Sequence, residues 1–268
     1  MGEHRSAVPP SLPRILCYHK VDRRCELGVT RLSPRRFARQ IERMAAEGLR
    51  TLSLDEVVAC VRGERPVASN EIAITFDDGY RALREHAFPI LEAHGFVATC
   101  FVITAFAGRL NRWDVAYGGR RFAHLAWRDM RRWQARGITF ASHTLTHPRL
   151  TWLDAASVAR ELSDSRADIA SALDDAPRAV SYPFGASEAR EHELARAAGY
   201  DIGFTLSSRW AGDAMAVFRL PVYMWSPSMP GAGPLRVVER GVATIANRAS
   251  IGTSLWRRGA REDRVERA

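Results

Sequence analysis

Two carboxylates stand side by side at the end of an apolar run, in Ile74-Thr75-Phe76-Asp77-Asp78-Gly79-Tyr80. Adjacent acids repel unless a cation or a shared proton relieves them. Further along, Ser142-His143-Thr144-Leu145-Thr146-His147-Pro148 supplies two imidazoles four positions apart, again just past an apolar run, Ile138 to Ala141. One acid with two histidines is a common three-donor set for a catalytic zinc, with a fourth position left for water. Each segment alone has a plainer reading. Asp-Asp-Gly often makes a turn, in which Asp caps backbone N–H groups and Gly supplies positive φ, and His-x-x-x-His recurs by chance. Both segments, however, directly follow strand-like runs, and in parallel α/β folds the C-terminal strand ends converge on one face. Two such ends, each offering metal donors, point to a metal-dependent hydrolase.

The elements that must position these groups are legible as an alternation. From Ile15 to about Val222, short β-like runs alternate with helical patterns, which implies an α/β domain with a mainly parallel sheet. Strands are expected at Ile15–His19, Leu49–Leu52, Glu71–Phe76, Val97–Ile103, Ile138–Ala141, Ala179–Tyr182, Ile202–Leu206 and Phe218–Val222. Ser33-Pro34 opens a helix that Gly48 closes, and Ser53-x-x-Glu56 is a capping box for a second. Further helices are expected over about Arg81–His94, Trp127–Arg136, Asp154–Leu173 and Ser187–Ala198. This count and order suit a distorted (β/α) barrel better than an open sheet. The connection Thr104–Leu125 carries Trp113, Asp114 and Tyr117 among several glycines; its length and aromatic content suit a substrate-facing flap. Residues 1–14 are expected to be a flexible N-terminal segment, 15–247 the catalytic domain and 248–268 a charged, frayed tail.

The Thr-Phe-Asp-Asp-Gly-Tyr and Ser-His-Thr-x-x-His segments resemble the first two motifs of the polysaccharide deacetylase family (NodB homology, carbohydrate esterase family 4). Leu16-Cys17-Tyr18-His19-Lys20-Val21 and Ser181-Tyr182-Pro183-Phe184-Gly185 are similar to the branch that includes poly-N-acetylglucosamine deacetylases. The resemblance runs from about Leu16 to Val222. It implies a NodB-type barrel and metal-dependent removal of N-acetyl groups from amino sugars. It casts Asp77 as general base, and Asp78, His143 and His147 as metal ligands. It also places the backbone N–H near Phe184, in the Tyr182–Gly185 turn, at the oxyanion, sets Tyr182 of that turn beside the oxyanion or substrate, and casts His19 as the acid that protonates the leaving amine. Zinc is the default ion, with Co, Ni or Mn suited to the same donors. One position departs from the pattern. Many members have an arginine two residues before the proline of the third motif, where it orients the catalytic acid, and here that residue is Ser181. Arg178 faces the other side of its strand; Arg219 is conceivable. Trp113 and Trp152 are the aromatics best placed to stack on a sugar ring.

Bulk properties exclude little. The 268 residues, 46% hydrophobic and 26% charged, fit one soluble globular domain. A formal net charge of +9 comes mostly from scattered arginines. No Lys/Arg block, recognition-helix pattern or zinc-finger spacing appears, so nucleic acid is not an expected partner. The basic balance does suit peripheral contact with an anionic membrane. With no apolar signal-like or membrane-spanning run, the sequence reads as cytoplasmic. Cys17, Cys25, Cys60 and Cys100 form no Cys-x-x-Cys pair and read as reduced thiols. The alternatives in view are a deacylase of a lipid-linked or small sugar, another C–N bond hydrolase on the same fold, and a silent glycan-binding module.

Overall fold

The computed structural model describes residues 12–24, 29–111, 121–206, 211–227 and 230. Its strands are β1 (Arg14–Tyr18), β2 (Lys20–Val21), β3 (Arg31–Leu32), β4 (Arg50–Thr51), β5 (Glu71–Phe76), β6 (Ala98–Val102), β7 (Ile138–Ser142), β8 (Ala179–Ser181), β9 (Ile202–Thr205), β10 (Val217–Phe218) and β11 (Leu220–Pro221). Its helices are α1 (Pro34–Ala46), α2 (Leu54–Val61), α3 (Leu83–His86), α4 (Phe88–Ala93), α5 (Trp127–Gln134), α6 (Ala155–Leu173) and α7 (Ala189–Ala197). The sequence signals act where expected. The Ser33 side chain caps α1 with Pro34 in its first turn, Ser53 and Glu56 form the capping box of α2, and Asp154 caps α6. The single helix expected over Arg81–His94 is instead two, broken at Ala87 (φ −120°). Pro89 lacks the N–H that a continuous helix would need, and its ring would meet the carbonyl four residues back.

The main sheet runs β10-β9-β8-β7-β6-β5-β1-β11, every pairing parallel, with β4 added beside β5. β10 and β11 are the two ends of this row, yet only Arg219 separates them in the chain. The segment 217–221 therefore pairs with β9 through its first half and with β1 through its second, drawing the sheet round into a nearly closed barrel. The continuous strand expected at Phe218–Val222 is broken at this point. The short β2 and β3, which pair with each other, were not expected.

The period-two alternation of strands divides the residues between two cores. Ile15, Ala73, Phe101, Ala141, Ala179, Ile202, Phe204 and Val217 belong to one buried cluster, the filling of the barrel. Leu16, Tyr18, Ile72, Ile74, Phe76, Cys100 and Phe140 belong to another, which packs under Phe37 and Ile41 of α1, Phe88 and Leu91 of α4, and Met130 and Trp133 of α5.

Candidate metal centre

One period beyond the interior apolar residues, the same strand faces carry Cys17 and His19, Thr75 and Asp77, His143, Ser181 and Arg219. Parity alone thus aims these groups at the barrel axis near the C-terminal strand ends. β5 hands on the two acids. The Asp77 N–H donates to the Tyr18 carbonyl at 2.8 Å. The chain then turns through left-handed geometry at Asp78 (φ +69°) and Gly79 (φ +63°). A Cβ on Gly79 would stand 2.8 Å from Val102 Cγ1, so only glycine passes here. His124 Nδ1 donates to the Asp78 carbonyl at 2.7 Å, its ring stacked on Tyr80.

β7 delivers His143 into a loop with two further left-handed residues, Thr144 (φ +66°) and His147 (φ +61°). Such geometry costs of order 1–3 kcal/mol at a non-glycine residue and persists only where the surroundings hold it. Here the Thr144 N–H donates to Ser142 Oγ and the His147 N–H to Thr144 Oγ1, each at 3.1 Å.

His143 Nδ1 donates to the Ser181 carbonyl at 2.7 Å, which leaves the Nε2 lone pair as the free donor. Burial lowers the pKa of this histidine, opposed by Asp77 and by the Ser181 carbonyl. His143 Nε2 and His147 Nε2 are 3.2 Å apart, and Asp78 Oδ1 lies 3.5 and 3.6 Å from them. A tetrahedral ion with bonds of about 2.0–2.2 Å sets its ligands roughly 3.3–3.6 Å apart. The three donors therefore already stand at the spacing one small cation requires, all nearly buried, with a fourth vertex unclaimed by them.

Asp77 stands outside this triangle, its Oδ2 3.9 Å from His143 Nε2. Arg219 grips it with two parallel bonds of 2.7 Å and also donates to Ser181 Oγ at 2.7 Å and Thr75 Oγ1 at 3.2 Å. Ser181 Oγ and Cys17 Sγ donate to Asp77 Oδ2 at 3.3 and 3.4 Å. Burial would raise the Asp77 carboxyl, but the Arg219 charge, with His143, outweighs it and holds the pKa well below the usual range. Arg219 is fully buried, its guanidinium over the Phe101 and Phe204 rings. The arginine missing from the third motif is thus supplied by the final strand segment, with Ser181 as the small residue that makes space for it. Arg178 lies outside, paired with Asp201 and Asp55.

His19 brings a ring nitrogen to within 4.8 Å of the Asp77 carboxylate and the Cys17 thiol. Burial drives its pKa down to about 4 against the pull of Asp77, and Nδ1 has no hydrogen-bond partner among the described residues. Phe184 adopts φ +61° and sets its ring edge-on to His147 at 4.9 Å. Trp152 ends a single 3-10 turn, 38% exposed, with Arg149 over its ring. Tyr182, expected beside substrate, differs. Its side chain is fully buried in a core with Leu150, Val158 and Met215, because the same alternation that turns Ser181 inward turns Tyr182 outward under α6 and α7. Trp113 lies outside the described residues. Sequence reasoning missed His124, Ser181 as an active partner, and Cys17. Strand parity was the available signal for the last two; His124, in the long connection, gave none.

A parallel barrel with a carboxylate–His–His triangle at its strand ends, and a second carboxylate held apart by an arginine, defines a metallohydrolase type of site. A family model described as polysaccharide deacetylase matches residues 64–203, just over half of the chain, and this protein belongs to that family. Bacillus subtilis YxkH, which carries a polysaccharide deacetylase name, is 26% identical over 228 residues, 85% of this chain and 76% of its own length. A Staphylococcus aureus poly-beta-1,6-N-acetyl-D-glucosamine N-deacetylase is 23% identical over 182 residues, 66% of this chain and 62% of its own. Among solved structures, the Streptococcus pyogenes deacetylase PplD superposes with a TM-score of 0.72 at 23% identity, covering 82% of this chain and 96% of that one. IcaB from Ammonifex degensii gives 0.68 at 24%, covering 87% and 96%. At these identities the structural likeness establishes the barrel fold.

Proposed function

We propose that this chain is a metal-dependent N-deacetylase that releases acetate from an N-acetylated amino sugar or glycan. The observation that carries the reading is the separation of the two adjacent acids: Asp78 completes a donor triangle of metal-ligand size, while Asp77 is held just outside it by Arg219. Asp78, His143 and His147 would hold the ion, with zinc the first choice for this donor set. A bound divalent ion supplies Lewis acidity toward the acetamide carbonyl and, for zinc, lowers the pKa of water from about 15.7 to roughly 7.

The chain's own residues supply the rest. Asp77, ionised throughout the neutral range, accepts the proton of the attacking water on a carboxylate whose orientation Arg219 fixes. The backbone N–H of Phe184, in the turn against His147, faces the oxyanion. His19 is neutral at rest and gains basicity as negative charge develops on the substrate beside it; it takes up the proton that Asp77 removed from the water and passes it to the departing amine. Trp152 at the rim, with Trp113 from the long connection, would stack on the sugar ring. The catalytic domain is taken as 15–247, of which 231–247 lie outside the described residues, with a basic surface in peripheral contact with anionic membrane and the enzyme at work in the cytoplasm. Absence of salt-sensitive liposome binding, or fractionation outside the cytoplasm, would remove the last two parts. No described helix is long and apolar enough to cross a membrane.

Metal content and acetate release are the test, measured together across N-acetylglucosamine oligomers, monomeric N-acetylated sugars and lipid-linked forms. Asp77→Asn is expected to keep the metal and lose roughly 10²–10⁴-fold in turnover, whereas His143→Ala loses the metal as well. Equal turnover of Asp77→Asn and wild type rejects the base assignment. Binding of glycan with no acetate release from any sugar rejects the enzyme.

A further inference from the structure

The helix α6 turns polar side chains toward the barrel. Glu161 and Ser165, both buried, and the half-buried Asp168 sit at the i, i+4 and i+7 positions of one helical stripe, where apolar residues would pack without desolvation cost. Each reaches the strand-end loops. Ser165 Oγ meets Ser142 Oγ at 2.7 Å, and Asp168 Oδ2 accepts from Thr104 Oγ1 at 2.7 Å. Glu161, only 9% exposed, accepts twice from one residue: the Thr146 N–H on Oε2 at 2.8 Å and the Thr146 hydroxyl on Oε1 at 2.5 Å. Its main-chain carbonyl also accepts the Leu145 N–H at 3.2 Å. Among the described residues no ion pair to Glu161 is present, so nothing but the loop uses this carboxylate.

The residue so clamped is the one immediately before His147, inside the stretch whose left-handed Thr144 and His147 need external restraint. From these contacts we infer that Glu161 is a positioning residue for the metal site: through Thr146 it holds the loop in the geometry that puts His147 Nε2 beside His143 and Asp78. The inference rests on the reading of Asp78, His143 and His147 as the ligands. Glu161 touches none of the donor atoms; it acts on the backbone that carries one of them.

The test uses the full chain with Glu161→Ala, Glu161→Gln and Thr146→Val, and Asp129→Asn as a control that disturbs an ion pair and a helix start at α5 instead. Zinc affinity is measured by chelator competition, and amide exchange at Leu145, Thr146 and His147 in metal-free protein. Loss of a group that supports a ligand typically weakens metal binding 10–100-fold, and that is the expectation for Glu161→Ala, with faster exchange of the Thr146 amide. Glu161→Gln is expected to stay within about threefold of wild type, because its amide oxygen accepts the N–H while its NH₂ donates to the hydroxyl. Thr146→Val, losing one of the two bonds, falls between, and it decides the matter if Glu161→Ala does not fold. The inference is overturned if folded Glu161→Ala binds zinc as wild type does, if Glu161→Gln is as impaired as Glu161→Ala, or if Asp129→Asn weakens zinc equally. Wild-type protein that takes up no divalent metal would instead sink the ligand reading, while the exchange data would still report on the clamp.

Discussion

Replacing Arg219 with methionine removes the cation that neutralises Asp77 but keeps an unbranched apolar stem between Phe101 and Phe204. Four hydrogen bonds end on this guanidinium, two of them on Asp77, and Asp77 itself is only 3% exposed. Removing one partner of a buried pair costs about 3–5 kcal/mol, a large share of the roughly 5–15 kcal/mol that holds a domain folded. The sign with pH follows from the same pair. In the wild type the Asp77 pKa is depressed in the fold, so its contribution is present above the unfolded value and fades as pH falls through the folded one. In Arg219→Met, burial without the arginine raises the folded pKa above the unfolded value. Its stability is then fullest below the unfolded pKa and is lost as pH rises, by about 1.4 kcal/mol for each pH unit that separates the folded from the unfolded pKa. Urea unfolding of metal-free wild type and variant at several pH values reads this directly. The gap between them should be widest near neutrality and close toward acid. Adding Asp77→Asn to the variant should recover most of the loss, since no charge is then left unpaired. A gap under about 1 kcal/mol at pH 7, or one that does not narrow in acid, would refute the account of Arg219 as the counter-charge of Asp77.

Acid lability has further sources in His19, described above, and in His124, which is 2% exposed and whose pKa burial lowers from the ordinary 6.5 to about 4. Its preference for the neutral form makes stability fall as pH drops from about 6.5 toward 4, by about 3 kcal/mol across that window. His124→Asn, which keeps an N–H for the Asp78 carbonyl, should lessen that slope while the His19 part remains, in melts run across the same range; an unchanged slope counts against it. Gly185→Ala should unfold the third-motif turn, because a Cβ there would meet Leu206 backbone and side chain at 2.6 Å in a left-handed residue. A drop in thermal midpoint together with weakened zinc binding is expected, since Phe184 of the same turn packs on His147. A wild-type midpoint would show that the turn has room to give.

Much of the site was legible because it is local. Capping residues, strand-like runs and the two ligand segments are each contiguous in the chain, and period-two alternation decides which side of a strand a residue faces whatever its partners turn out to be. That is why the Asp77-Asp78 pair, His143 and His147 could be singled out from the sequence, and why the resemblance those segments carry could divide the two acids into base and ligand. Pairings across the barrel are of another kind. Arg219 meets Asp77 only because residues 217–221 bridge the two ends of the sheet, bringing a side chain from the last strand segment against one from the fifth strand. No local pattern encodes that closure, although the inward parity of Arg219 was there to be read. The buried carboxylate of Glu161 and the His124 bond to the Asp78 carbonyl belong to the same class. Tyr182 shows the converse: its motif placed it near substrate, and the pleat turned it into the core. Chain chemistry and spacing determined which groups this protein brings to its reaction. Barrel closure and helix packing decided how they are held, because a buried charge or a left-handed loop is stable only when distant parts of the chain arrive to satisfy it.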